Sequence, residues 1–432
     1  MRIKEIEIEN YRGFKNTKKI TFKNDINVIV GSNGAGKTSI LDLIASFLNH
    51  FTVKFSGSPS RDIKQSLTML DINVDEQETI NKIFVSSDID NDIISWELKQ
   101  NFKNGKNNFK QLNEYIDTYQ RIFKYNLEQN IPIFKYFQSQ RNSSEKQKQV
   151  ISQKRYIAEQ FKAYDNAFDK TLEFDNFISW FVEEENKENR KKVSLSDLSY
   201  TNPRLNTVRD AITQFLESFP SFKYKNLRVE ERTFNLKTNE KSSLVIDKDN
   251  KTFHLKQLSD GEKILILLVS DIAHRLALAN PQTRNCLLGT GVILIDEIDL
   301  HLHPSWQREV IPCLLKTFPN LQFITTTHSP QVLSTIKSEN IHIIENFDFV
   351  ELTPNTFGND SNTILWDIFG VSERPEHTKA KLEKFYEIIE EGNKQDEAKA
   401  LLEELTLQLG NENSEILRAN LHFDFQNQNE LD

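Results

Sequence analysis

The chain has 432 residues and carries 54 Lys and Arg against 63 Asp and Glu, a formal net charge of -9. That length accommodates one large α/β domain with a substantial insertion, and the acidic balance excludes a protein that binds nucleic acid over its whole surface. The sequence has only 2 cysteines, no apolar run near the roughly 20 residues of a membrane span, and a strand predicted almost from Met1. We therefore expect a soluble, cytoplasmic protein without a disulfide framework, signal peptide or membrane partner.

The first 50 residues predict a phosphate-binding loop between a strand and a helix. Strands are expected at Ile3–Glu9 and Ile26–Val30, and a helix at Thr38–Leu48. Residues Gly31–Thr38 between them are Gly-Ser-Asn-Gly-Ala-Gly-Lys-Thr. This spacing, with a strand before it and a helix after it, is typical of a loop whose backbone N–H groups surround a phosphate.

The residue types of this loop each suit a part of a bound nucleotide. Gly34 and Gly36 let the N–H groups turn inward where side chains would clash. Lys37 can reach the β- and γ-phosphates, and the hydroxyl of Thr38 can bind Mg²⁺. The predicted nucleotide-binding residues of this region are Asn33, Gly34, Gly36, Lys37, Thr38 and Ser39.

The central part of the chain, residues 51–250, predicts an inserted, mainly helical lobe with some strands. Its expected elements are a strand at Ile131–Phe137, helices within Lys146–Glu185 and at Arg204–Phe219, and strands at Asn226–Val229, Thr233–Lys237 and Leu244–Asp247. Aromatic residues at loosely helical spacing indicate a core or helix-pairing surface: Phe161, Phe168, Phe174, Phe177, Trp180 and Phe181. The basic stretch Arg141–Arg155 is typical of a solvated helix face, with nucleic-acid contact as the alternative.

Residues 251–350 return to an alternation of helices and strands. It consists of a helix at Lys263–Ala279, a strand at Gly291–Ile295, a helix at Ser305–Thr317 and a strand at Gln322–Thr326. Such alternation predicts an α/β fold with a mostly parallel sheet and helices on its faces. We expect residues 1–50 and 251–350 to form the two halves of one ATPase domain. Residues 351–432 are expected to form a helical accessory region with a hairpin of Thr378–Glu391 and Gln395–Leu409.

Two adjacent carboxylates end the apolar strand before residue 298. Asp296 is expected at the edge of the sheet where ligands collect, and there it can bind Mg²⁺ together with Thr38. Glu297 points elsewhere and can orient the water that attacks the γ-phosphate. An Asp-Glu pair alone is a weak signal, but it becomes strong because the phosphate loop precedes it.

Ser259-Asp260-Gly261-Glu262 precedes the long apolar helix and allows two interpretations. Ser259 with Glu262 is a capping box, and helix capping alone is a sufficient explanation. The functional interpretation is that this helix N-terminus, carrying Ser259 and Gly261, binds an anion. Because the phosphate loop already surrounds its own nucleotide, the anion would be the γ-phosphate held by a second protomer. This interpretation predicts a head-to-tail dimer or a higher oligomer.

Histidines follow both strands of this region. His328 comes just after the strand Gln322–Thr326 and fits a sensor that hydrogen-bonds the γ-phosphate, although a structural role is the commoner one for a single histidine. His301 and His303 form a His-x-His before Pro304. We prefer a structural turn to a metal site there, because no third ligand is apparent nearby.

Together these motifs resemble the ABC class of P-loop ATPases. Gly31–Thr38 resembles the Walker A motif, Leu258–Glu262 the signature loop, and Val292–Glu297 the Walker B motif with its catalytic glutamate. Ile298-Asp299-Leu300 lies where that class has its D-loop, and His328 lies where it has its switch histidine.

More specific likenesses narrow this class. The opening segment Asn10-Tyr11-Arg12-Gly13-Phe14 resembles the SMC/RecF branch, and that resemblance implies that Arg12 approaches the nucleotide. We place Tyr11 on the adenine base. The resemblance also implies a glutamine lining the site; we assign Gln138, with Gln140 left open. Residues 258–334 are similar to the AAA-family PtuA-type ATPases of Septu and retron anti-phage systems.

The resemblance implies an ATP- and Mg²⁺-dependent ATPase, with hydrolysis that can be slow or regulatory. It would sense or gate a separately encoded effector nuclease in bacterial anti-phage defence, because fewer than 90 residues follow Ile344, which is short for an additional nuclease domain. At about 1.5 Å per helical residue, the insertion is too short for the arm of a chromosome-organising protein. The alternatives are a RecF/SMC-like repair ATPase that binds DNA and, least favoured, the ATP-binding subunit of a transporter.

Overall fold

The computed structural model describes residues 1–56, 67–90, 92–102, 106–125, 129–139, 159–169, 174–219, 224–231, 242–281, 283, 285–350, 355–392 and 394–429. Contacts divide the chain into two units, Met1–Asn359 and Asp360–Asp432. Three predicted features lie outside the described residues: Gln140, the basic stretch Arg141–Arg155 and the strand Thr233–Lys237.

Strands of the first unit form three sheets. They are β1 (Arg2–Glu9), β2 (Thr17–Thr21), β3 (Ile26–Gly31), β4 (Glu78–Ser86), β5 (Ile93–Asn101), β6 (Ile133–Phe137), β7 (Tyr224–Glu231), β8 (Ser242–Lys248), β9 (Lys251–His254), β10 (Gly291–Ile295), β11 (Leu321–Thr326), β12 (Ile341–Glu345) and β13 (Asp348–Val350). The strand orders are β2-β1-β4-β5, β13-β12-β3-β11-β10-β6 and β7-β8-β9.

Helices connect these strands and form the second unit. They are α1 (Lys37–Ser56), α2 (Lys110–Tyr125), α3 (Phe174–Leu195), α4 (Pro203–Ser218), α5 (Asp260–Ala279), α6 (Pro304–Thr317), α7 (Pro330–Leu333), α8 (Ser361–Phe369), α9 (Glu376–Glu391), α10 (Gln395–Leu409) and α11 (Ser414–Asn429). Helix α1 packs on β3 and β11, and α5 packs on β6.

The six-stranded sheet is parallel except for the pairing of β12 with β13. Every residue of β3, β6, β10 and β11 is buried, as expected for parallel strands covered on both faces. Ile295 lies opposite both Phe137 and Thr325, and Gly31 lies opposite Ile344. This register brings the carboxyl ends of these strands, with the residues that follow them, to one edge of the sheet. The predicted α/β fold with a mostly parallel sheet is confirmed.

Residues 51–250 contribute to all three sheets as well as to helices. Strand β6 is the edge strand of the six-stranded sheet, while β4 and β5 extend the antiparallel pair of β1 and β2. The aromatic residues Phe161, Phe168 and Phe181 are buried, which confirms their predicted core role. Phe161 packs on Phe55 of α1, with 5.0 Å between the ring centroids. The lobe therefore packs against α1, the helix that follows the phosphate loop.

The described part of the second unit contains the predicted hairpin, α9 and α10, and two further helices, α8 and α11. Helix α9 ends at Glu391, and the following Gly392, with a φ of 71°, provides the left-handed conformation of a helix C-cap. Helix α11 packs on the hairpin through Ile416 and Ala419. The hairpin prediction is thus confirmed, whereas α8 and α11 were not predicted as separate helices. No helix in the described part of the chain is long and apolar enough to cross a bilayer.

Candidate nucleotide site

The phosphate loop runs from the end of β3 into α1 and depends on its glycines. Gly36 has a φ of 107°, which L side chains rarely adopt. A Cβ atom at Gly36 would lie 2.8 Å from Phe14 Cζ and 2.9 Å from Phe347 Cδ1. Two aromatic rings therefore press on the base of the loop, while Asn33 and Gly34 are exposed at its tip. The predicted loop is present, with its exposed tip open to a ligand.

Lys37 is the first residue of α1, and its ammonium group folds back over the loop. Nζ donates hydrogen bonds to the carbonyl oxygens of Gly31 at 2.8 Å and Ser32 at 2.9 Å. Burial lowers the pKa of Lys37, against the opposing effect of nearby carboxylates, of which Asp296 is the strongest. Asp296, directly after β10, is therefore within electrostatic range of Lys37, although some 260 residues separate the two in the sequence.

Asp296 and Thr38 come together as predicted. Thr38 Oγ1 lies 3.3 Å from Oδ1 and 3.2 Å from Oδ2 of Asp296, which is 3% exposed. A hydroxyl and a carboxylate side by side are oxygen ligands of the kind Mg²⁺ takes when substrate phosphates and water complete its shell. The two residues therefore fit the predicted metal.

Glu297 is held by a residue that sequence reasoning did not assign. The Thr326 hydroxyl donates to Asp296 Oδ1 at 2.7 Å and accepts the Glu297 N–H at 2.7 Å. Glu297 has a φ of 52°, so the backbone turns sharply there and directs the two adjacent carboxylates differently. Thr326 ends β11, the strand beside β10, and only that pairing reveals its role.

Replacing Thr326 with valine should slow ATP turnover without unfolding the protein. Valine keeps the shape of threonine but leaves the Glu297 N–H without its acceptor, and we expect a loss in ATPase rate of about tenfold. Thr317→Val is the matched control, since Thr317 is also buried and its hydroxyl donates to the Cys313 carbonyl within α6. Steady-state ATPase rates of both variants test this, and a wild-type rate for Thr326→Val would contradict the assignment.

His328 lies half-buried directly beyond β11. Burial and the nearby Lys37 lower its pKa, so the imidazole is neutral near pH 7 and can donate one N–H to a phosphate oxygen. The preceding Thr327 donates its hydroxyl to Asp299 Oδ1 at 2.6 Å and accepts the Ser329 N–H at 3.0 Å. These bonds tie the segment carrying His328 to the predicted D-loop.

Arg12 is placed at the start of α1 by two carboxylates. Its guanidinium donates to Asp42 Oδ2 at 2.8 Å, to Asp71 Oδ1 at 3.1 Å and to Ser39 Oγ at 3.3 Å. Arg12 therefore contacts Ser39 beside the phosphate loop, and its predicted approach to the nucleotide stays a prediction. Tyr11 is 1% exposed, with the Arg12 guanidinium 5.1 Å from its ring centroid. The placement of Tyr11 on adenine is wrong, because the buried ring has no surface left for a base.

Gln138 directly follows β6, just as Asp296 directly follows β10, and the last residues of these two strands lie opposite each other. The carbonyl of Phe137 accepts the Asp296 N–H at 2.8 Å, which fixes the end of β6 against the end of β10. Gln138 is half-buried at this edge of the sheet. Its position supports the assignment of Gln138 as the site glutamine, and that assignment stays a prediction.

The capping box predicted at the start of α5 is confirmed. Ser259 Oγ accepts the Glu262 N–H at 3.4 Å, and Glu262 Oε2 accepts the Ser259 N–H at 2.7 Å. A Cβ atom at Gly261 would lie 2.5 Å from the carbonyl oxygen of His301. The first turn of α5 therefore packs closely on the turn that follows the Walker B carboxylates. Its predicted contact with the nucleotide of a second protomer remains a prediction.

The His-x-His before α6 is a structural turn, as preferred from the sequence. His303 is the N-cap of α6, and its Nδ1 accepts the Ser305 N–H at 3.3 Å. His301 has a φ of 64° within the turn. Pro304 occupies the first position of the helix, where its missing N–H costs nothing.

One edge of the mainly parallel sheet carries the phosphate loop after β3, the Walker B carboxylate pair after β10 and the polar end of β11, the strand between those two. This arrangement defines a P-loop ATPase. The family model described as "AAA domain, putative AbiEii toxin, Type IV TA system" matches residues 26–334. The chain therefore belongs to this AAA-domain family and is an ATPase.

Comparison with individual proteins gives relatives of similar length. The chain is 29% identical to the "Retron Ec83 probable ATPase" of Escherichia coli, over 88% of this chain and 78% of that protein. It is 26% identical to the "Septu protein PtuA" of Bacillus thuringiensis, over 86% of this chain and 85% of that protein. A solved structure of the recombination mediator protein RecF is 15% identical and covers 81% of this chain and 98% of its own, with a TM-score of 0.42.

Proposed function

We propose that two copies of this chain form a composite ATPase in which each nucleotide lies between the phosphate loop of one protomer and Ser259–Glu262 of the other. The observation that carries this proposal is the presence of two helix N-termini of this kind in one chain, of which the second is capped by Ser259. One is α1 behind the phosphate loop, and the other is α5 behind Ser259. Both present backbone N–H groups suited to phosphate oxygens.

The chemistry follows from the residues at the sheet edge. Lys37 and the loop N–H groups bind the β- and γ-phosphates, and Glu297 orients the attacking water. Neutral His328 donates a hydrogen bond to the γ-phosphate. Thr38 and Asp296 would hold Mg²⁺, which when bound neutralises charge on the β- and γ-phosphate oxygens. Thr326 keeps Glu297 in place, so its hydroxyl belongs to the catalytic arrangement.

The biological role we propose is that of a cytoplasmic, ATP-dependent subunit that senses infection and gates a separately encoded effector nuclease in anti-phage defence. Its support is the similarity, along nearly the whole chain, to proteins described as a retron ATPase and a Septu protein. A repair ATPase that binds DNA is the second candidate, and its support is the SMC/RecF-like opening segment, in which Arg12 contacts Ser39 at the start of α1. A transporter subunit has no observation in its favour.

The test compares Lys37→Ala with Lys54→Ala in the native host. Both lysines belong to α1, and the exposed Lys54 bonds Asn113 at the other end of the helix. We expect Lys37→Ala to abolish phage protection and Lys54→Ala to keep it, and a nuclease to co-purify with the wild-type chain. Full protection by Lys37→Ala would contradict the ATP dependence of the proposed defence role. Sensitivity of the Lys37→Ala strain to DNA damage alone, with no nuclease bound, would favour the repair role.

A further inference from the structure

Glu262 receives more hydrogen bonds than helix capping requires. Its Oε2 accepts the Ser259 N–H at 2.7 Å and the Ser259 hydroxyl at 2.8 Å, which completes the capping box. Its Oε1 accepts from Lys248 Nζ at 2.7 Å and from the Tyr224 hydroxyl. The second pair of donors comes from the β7-β8-β9 sheet. One carboxylate therefore joins the first turn of α5 to a separate sheet.

The two additional donors to Glu262, Tyr224 and Lys248, also lie next to each other. Tyr224 of β7 lies directly opposite Lys248 of β8, so both side chains are on the same face of the sheet. Lys248 Nζ lies 5.2 Å from the centroid of the Tyr224 ring. Tyr224 is 3% exposed and Glu262 is 5% exposed. Hydrogen bonds to a buried, ionised carboxylate are among the stronger ones in proteins, so this junction is a firm one.

The charge state of Glu262 agrees with this geometry. Burial acts to raise its pKa, and the donors from Lys248, Tyr224 and Ser259 outweigh burial, so the pKa lies below its usual value. Glu262 is therefore ionised at neutral pH. Loss of a donor would leave a buried negative charge incompletely paired, and that charge would lie within the helix turn proposed to face a phosphate.

We propose that Tyr224 and Lys248 are positioning residues of the ATPase: through Glu262 they fix the first turn of α5 in the orientation that binds the γ-phosphate of a second protomer. The inference rests on the proposed composite site and adds what holds its second half in place. Neither residue touches the nucleotide itself. Both act through the Glu262 carboxylate, because the capping box supplies donors to Oε2 only and these two residues supply the donors to Oε1.

The same sheet is also fixed to the helices of the central lobe. The Val229 N–H of β7 donates to Glu185 of α3 at 3.0 Å. Glu185 in turn pairs with Arg209 of α4 at 3.3 Å. The first turn of α5 is therefore joined through Glu262 and Tyr224 to β7, and through β7 to α3 and α4.

The test is made in the full-length Glu297→Gln protein, in which ATP is expected to hold protomers together. Tyr224→Phe and Lys248→Met are added singly and together, and Lys248→Arg tests rescue by a cation of similar reach. Lys251→Met is the control, because Lys251 is exposed and lies opposite Lys248 on the same hairpin. Binding of a fluorescent ATP analogue and ATP-driven assembly by light scattering are measured with Mg²⁺ present, over a range of protein concentrations.

We expect the double variant to bind the ATP analogue as its parent does, yet to need at least about tenfold more protein to assemble with ATP. Lys248→Arg and Lys251→Met should assemble like the parent. Assembly of the double variant at the parent's concentration would overturn the inference, and so would an equal loss of analogue binding, which indicates a purely structural role. Failure of the Glu297→Gln parent itself to assemble would instead overturn the composite site.

Discussion

Replacing Glu297 with glutamine is expected to stop ATP turnover while leaving ATP binding intact, so that ATP then holds the protomers in a stable assembly. Glutamine has the size of glutamate but cannot accept a proton from the attacking water. Removal of such a group typically costs roughly a hundredfold or more in rate. The Glu297 N–H that donates to the Thr326 hydroxyl belongs to the backbone, so the substitution keeps this bond. The nucleotide is then bound and not consumed.

The measurements are the ATPase rate and the molecular mass with and without ATP and Mg²⁺. Glu345→Gln is the matched control, because Glu345 is an exposed carboxylate at the carboxyl end of β12 in the same sheet. That variant should hydrolyse ATP and change its assembly state as the wild type does. If ATP leaves Glu297→Gln monomeric, or leaves its assembly state wholly unchanged, the arrangement with ATP between two protomers is wrong.

Residues at strand ends could be predicted from the sequence because two simple rules apply to them. Apolar runs such as Gly291–Ile295 indicate buried parallel strands, and polar residues directly after such runs gather at one edge of the sheet. The observed strand has the predicted limits, and the contact of Thr38 with Asp296 follows. The capping box at Ser259 was equally predictable, because its pattern lies within four consecutive residues.

Strand β4 was missed because its buried face is partly polar. The inward positions of Glu78–Ser86 include Thr79 and Asn81, both fully buried. The Thr79 hydroxyl donates to the carbonyl of Glu9, and the Asn81 amide donates to Thr79 Oγ1. Hydrogen bonds within β4 and from β4 to β1 satisfy these groups, but only the fold reveals them. From the sequence, this segment lacks the alternation of apolar and polar residues that predicts a strand.

Contacts between segments that are distant in the sequence explain the features of the site that were not predicted. Thr326 takes its role from the register of β10 with β11, and Arg12 takes its place from Asp42 and Asp71. None of these pairings has a local sequence signal. Tyr11 was misplaced for the same reason, because its burial results from packing that its own segment does not display.

Two inactive variants should restore activity when they are mixed. Lys37→Ala disables the phosphate loop but keeps the α5 N-terminus. Ser259→Phe keeps the loop, while its ring covers the N–H groups at the start of α5 and its lost hydroxyl removes the cap. Each variant alone has no complete site. A mixed dimer has one complete site, made from the phosphate loop of the Ser259→Phe chain and the α5 N-terminus of the Lys37→Ala chain.

This mixing experiment tests most directly the central claim that each ATP site is built from two chains. The ATPase rate of the two variants is measured separately and after mixing in equal amounts. We predict about a quarter of the wild-type rate in the mixture, because half of the dimers are mixed and each has one intact site of two. A chain carrying both Lys37→Ala and Ser259→Phe, mixed with Lys37→Ala, is the control and should stay inactive. No recovery in the mixture of single variants, or full activity of Ser259→Phe alone, would contradict the claim.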